Sequence, residues 1–104
     1  MAKLRRPVVI DVEVGGVEYA ARTATWYDLR RDGYVDDTTH ALWLEALSGE
    51  TRFTQEDADR MMTAARRIVA AHVRANDAPV SADDLDDRDV FRLAGAVLAI
   101  NAMR

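Results

Sequence analysis

The chain has 104 residues, 49% hydrophobic and 31% charged, which is the balance of one globular domain rather than a disordered segment or a pair of domains. It contains no cysteine, which excludes disulfides and thiolate metal sites. Its net charge of −4 argues against a general polyanion binder. The charge is unevenly spread: residues 1–31 carry six cations against four acids, residues 32–59 one arginine against eight acids, and residues 60–76 four arginines and no acid. Such blocks can pair within the fold or steer a partner.

The opening stretch MAKLRRPVVIDVEV is basic, but Asp11 and Glu13 interrupt its apolar run, so no secretory signal is expected. No segment approaches the ~20 apolar residues of a membrane span. A cytoplasmic location is therefore expected.

Val8, Ile10, Val12 and Val14 alternate with more polar positions, and so do Val17, Tyr19 and Ala21, on either side of Gly15-Gly16. That pattern predicts a β-hairpin over 8–24 with a type I′ turn, its apolar face resting on helices or on another copy. TWYDLRRDG predicts a short helix capped by Thr25 and ended by Gly33. DDTTHALWLEALSG predicts a second helix, capped by Asp36 or Asp37, with Leu44 and Leu47 on its inner face and Gly49 past its end.

The longest predicted helix runs through TQEDADRMMTAARRIVAAHVRAN, with Thr54 as its cap and Asp57 three residues on. Its inner stripe is Ala58, Met61, Met62, Ala65, Ile68, Val69, His72 and Val73. At 1.5 Å per residue it reaches about 30 Å, and its opposite face carries Arg66, Arg67 and Arg74. NDAPVS predicts a loop, and a last helix starts in the aspartate cluster DDLDDRD. The expected class is α+β, mostly helical: one domain over 1–104, with the hairpin followed over 25–104 by a short helix and three main helices.

DDLDDRD asks to be read as a metal site. A calcium loop needs a glycine at its sharp turn and a closing glutamate, and no glutamate occurs after Glu56. Helix-start chemistry accounts for the cluster instead. Ser81 with Asp84, and Asp86 with Asp89, have the spacing of two staggered caps, and acids favour the positive end of the helix dipole. Leu85 lies between the caps, placed to pack inward.

His40 is expected to be exposed and His72 partly buried, and no spacing joins them to acids as a zinc site. Neither a catalytic set nor a cofactor is expected. The pairs Arg5-Arg6, Arg30-Arg31 and Arg66-Arg67 could meet phosphates, but no recognition helix follows a short turn. Trp26, Tyr27, Trp43, Met61 and Met62 are either core or an adaptable protein interface.

In element order the chain resembles the small tail assembly chaperones of long-tailed bacteriophages. The hairpin VVIDVEVGGVEYAART, the TWYDL directly after it and the ending VSADDLDDRDVFRLAGAVLAIN carry the likeness. The resemblance implies a non-enzymatic, oligomer-forming protein that binds the tape measure protein and helps recruit tail tube subunits. A contact surface for such partners is expected at Val12, Val14, Tyr19, Trp26, Trp43, Met61 and Met62. The alternatives are a structural virion or connector subunit, and a small nucleic-acid-binding regulator using Arg66, Arg67 and Arg74.

Overall fold

A computed structural model describes residues 8–102. The architecture is α+β and mostly helical, a four-stranded antiparallel sheet with four α-helices. Strands β1 (Val9–Val14) and β2 (Val17–Arg22) form the N-terminal hairpin. Helices α1 (Trp26–Arg31), α2 (Asp37–Leu47) and α3 (Gln55–His72) follow. Two short strands, β3 (Val73–Ala75) and β4 (Ala78–Pro79), and a 3-10 turn at Ala82–Asp84 lead into α4 (Asp87–Leu98), which ends in a second 3-10 turn at Ala99–Asn101.

Gly15 and Gly16 both take positive φ, 59° and 79°, which gives the tight turn the handedness that matches strand twist. The turn sets the register Val14↔Val17, Val12↔Tyr19 and Ile10↔Ala21, so these residues share one face of the sheet. Asp11, Glu13 and Glu18 fall on the other face. Thr23 extends the pairing by one step: its hydroxyl donates to the Val8 carbonyl at 2.8 Å and accepts the Val8 N–H at 3.1 Å.

The apolar face of the sheet packs on α3 and α4 around one buried cluster. Leu29, Ile68, Val69, Val73, Val90, Leu93 and Val97 are its fully buried large side chains. Each cap foreseen for an α-helix forms. The Thr25 and Thr54 hydroxyls accept the N–H groups of Asp28 and Asp57 at 3.1 Å, and the Asp36 carboxylate accepts that of Thr39 at 2.7 Å.

Two expectations fail here. The long helix does not reach Asn76 but stops at His72. Val73 continues the apolar stripe at helical spacing, yet it turns extended (φ −117°, ψ 137°) and pairs with Ala21, where the sheet buries it as well as a helix would. The NDAP stretch, expected as loop, is then a hairpin. Asn76 and Asp77 adopt φ 53° and 63° at its turn, a conformation these two residue types tolerate better than most. Pro79 is accommodated because β4 is an edge strand.

The inner face of α2 also differs. Thr39 and Trp43, four residues apart, are buried, whereas Leu44 and Leu47 are 45% and 68% exposed. One face of α2 is already filled by the tryptophan, so Leu44 and Leu47 point away from the core, while Leu42 is partly buried against it.

Candidate functional site

The aspartate cluster behaves as a helix start. Asp86 accepts the N–H of Asp89 at 2.9 Å and caps α4. Ser81 does not cap with its side chain; its backbone carbonyl accepts the Asp84 N–H at 3.1 Å, closing a 3-10 turn rather than an α-turn. Arg66 reaches over from α3, donating to the Ala82 carbonyl at 3.0 Å and to Asp87 at 2.5 Å, with Asp83 at 3.8 Å. The acids thus hold α3 against the entry to α4, while Leu85 packs on the core. Among the described residues no three His, Asp or Glu side chains converge as a metal-binding group.

The histidines do not meet. His72 lies on the inner side of α3, half-buried, its Nδ1 at 2.9 Å from the Ile68 carbonyl and its ring edge-on to Tyr34. Burial, with Arg22 nearby, pushes its pKa below the ordinary value. His40 is not freely exposed, as the sequence suggested. It stacks on Trp26 with centroids 4.3 Å apart, and burial followed by Arg30 lowers its pKa too.

Nor do the arginines form one basic face. Arg66 is bound to the aspartate cluster, Arg67 lies over the Tyr34 ring, and Arg74 stands in β3 opposite Ala20 and Pro79. Ending α3 at His72 is what removes Arg74 from the helix. Arg30 pairs with Asp37, and Arg31 with Asp28 and Asp32. Arg5 and Arg6 lie outside the described residues. An open cleft of about 1170 Å³ between the α1–α2 segment and α3 contains Arg30, Arg31, Arg60 and Arg67, but also Asp36, Asp37, Glu56 and Asp59, so its charges balance.

Of the seven residues expected at a partner surface, Val14, Tyr19, Trp43 and Met61 are buried in the core, and Val12, Trp26 and Met62 are partly buried against it. They are core and core-margin residues. In a domain this small the largest apolar side chains are needed inside.

Exposed large apolar side chains lie elsewhere, among them Leu44 and Leu47 on α2 and Phe91 on α4. His40, Leu44 and Leu47 recur at i, i+4 and i+7 along one flank of α2. His40 stacks on Trp26, whose N–H donates to Asn101 just past α4, and Trp43 packs on Phe91 of α4 at 5.6 Å. Phe91 of α4 is 36% exposed, and a Cβ on Gly95, one turn on, would meet nothing within 4 Å. At the C-terminal end of α2 a hollow is lined by Leu44, Glu45 and residues 48–52.

Sequence reasoning missed this surface because it assigned Leu44 and Leu47 to the core. The signal available was Trp43 at Thr39 plus four, which competes with the leucines for the inner face. No helix of the described residues is long and apolar enough to cross a membrane. Comparisons with known protein families, with curated proteins and with solved structures give no match to this chain.

Proposed function

We propose that the chain is a non-enzymatic protein–protein interaction protein acting in the cytoplasm, of the kind to which its resemblance to phage tail assembly chaperones points. The observation that supports this is the exposed pair Leu44 and Leu47 on α2. Both side chains stay in water on a helix whose other side, with Thr39 and Trp43, is already packed. An apolar cluster rimmed by charge marks a contact site more often than an idle surface. The divergence of Arg66, Arg67 and Arg74 speaks against the nucleic-acid reading, which needs cations gathered on one face.

The partner proposed is the tape measure protein of a long-tailed phage or prophage, a long helical chain that needs its apolar faces covered before the tail assembles. The test is co-expression of this chain with the tape measure protein of its source phage or prophage. The expected result is a soluble complex that elutes as one species, with the chain missing from finished particles. A chain that stays in the particle is a structural subunit instead, and a tape measure protein that remains insoluble and unbound overturns the proposal.

A further inference from the structure

We infer that the free edge of β1 is a docking strand for an extended, basic segment of another protein, which joins the sheet beside β1. The inference concerns a different element from the α2 leucines and does not depend on the partner proposed above.

The two edges of the sheet are built differently. Edge strands are normally blunted by shortness, proline or a bulge. β4 has the first two of these, since it is two residues long and one of them is Pro79. β1 has none: it is six residues long, contains no proline, and pairs with β2 in unbroken register. The two ends of the hairpin fix which backbone groups are already used. Val14 and Val17 close the turn, and at the other end the Thr23 N–H donates to the Val8 carbonyl at 2.8 Å. Even-numbered residues of β1 therefore bond to β2, and the N–H and C=O groups of Val9, Asp11 and Glu13 point outward. Among the described residues no strand pairs with that side of β1, and no turn or side chain bonds to these groups.

Charge selects the occupant. Asp11 and Glu13 project from the solvent face of β1, and Glu18 stands directly opposite Glu13 on β2. All three are exposed, and none forms an ion pair among the described residues. Like charges directly opposed across a hairpin are destabilising, and this is a non-hydrogen-bonded pair, where side chains come closest. The cations on the same face are Arg22, opposite Val9, and Arg74, on β3. Neither comes within ion-pair distance of the three acids.

A strand added to β1 sets its side chains opposite those of β1. Lysine or arginine is favoured opposite Asp11 and Glu13. The intervening positions fall beside Ile10 and Val12, which are only partly buried, and apolar side chains there would complete their cover. The segment that fits therefore alternates cation and apolar residue. A second copy of β1 does not fit, because antiparallel pairing about Val12 opposes Asp11 to Glu13.

The experiment is an amide-resolved NMR titration of the chain with a short capped peptide of alternating lysine and valine. Saturable binding is expected, with the largest shifts and new exchange protection at the amides of Val9, Asp11 and Glu13. The same peptide methylated on the backbone nitrogen of each lysine keeps its charge but cannot complete the ladder, and is expected to bind at least tenfold more weakly. The pair Asp11→Lys and Glu13→Lys is expected to lose the lysine peptide and to bind one of alternating glutamate and valine. That variant also sets a lysine opposite Glu18, so its circular dichroism spectrum is expected to match the wild type. Equal binding of the methylated peptide would reduce the interaction to charge attraction and overturn the inference. Shifts confined to other elements, or a charge-exchanged variant that still prefers the lysine peptide, would overturn it as well.

Discussion

The side-chain oxygen of Asn101 accepts the backbone N–H of Trp26 at 3.0 Å, across 75 residues of sequence. Its amide nitrogen donates to the carbonyls of Ala24 and Leu98, at 3.2 and 3.0 Å. One carboxamide therefore supplies a partner to the first N–H of α1 and ties the β2–α1 junction to the end of α4. It also sets the position of Trp26, on which His40 and with it the α2 flank are stacked.

Replacing Asn101 with alanine leaves those three backbone groups to whatever water can reach them. The expected cost is about 1–2 kcal/mol, which for a domain of this size lowers Tm by roughly 5–10 °C. Asn101→Asp keeps the acceptor for Trp26 but turns a carboxylate oxygen toward two carbonyls. Thermal denaturation should find it at least as damaging as the alanine variant. If both variants melt with the wild type, the clasp carries no stability.

The cap at α4 makes a separate prediction. Asp86→Ala removes the acceptor for the Asp89 N–H and is expected to cost about 1 kcal/mol in denaturant unfolding. Because Asp83 and Asp87 are engaged by Arg66 rather than turned toward a shared centre, millimolar calcium is expected to leave the Tm unchanged. A calcium-induced rise of several degrees would restore the metal reading of DDLDDRD.

Local signals in the sequence located the first hairpin, the α-helix caps and the order of the helices, because each is decided within a few residues. Two-glycine turns, Thr or Asp at a helix start, and alternation of apolar residues depend little on what the rest of the chain does. What could not be read was settled by competition between distant segments. Val73 satisfies a helical stripe and a strand equally well; the free edge of β2, more than fifty residues earlier, decides it. Leu44 and Leu47 look like core residues until Trp43 fills the space beneath α2. The candidate surface was misplaced for the same reason, since choosing the largest apolar residues as contacts selected those that the core had already taken. Asn101, a lone polar residue near the end, gave no sign of its three bonds.

The second hairpin offers a stabilising substitution. Asp77 holds φ 63° at the second turn position, where a Cβ is disfavoured and glycine is at ease. Asp77→Gly is expected to raise stability by up to about 1 kcal/mol, and the gain should appear in equilibrium unfolding at neutral pH. A loss of that size would mean that Asp77 contributes something at the turn beyond its backbone conformation.

Protonation of the histidines should set the behaviour of the fold in mild acid. His72 and His40 are both held below their ordinary value of 6.5, chiefly by burial. Around His72 the groups pull in opposite directions. Arg22 adds to the depression, while the Ile68 carbonyl, Asp32 and Asp28 oppose it. A lowered pKa in the folded state means that the unfolded chain binds the proton more readily. The stabilising contribution of each neutral imidazole is thus fully present above about pH 6.5 and is lost as the pH falls through that value toward the folded pKa. Tm is expected to fall between pH 7.5 and 5.5, before the carboxylates titrate. His72→Gln should flatten that slope, and His40→Gln combined with it should flatten it further. A slope that the double variant leaves unchanged would assign the acid sensitivity to other groups.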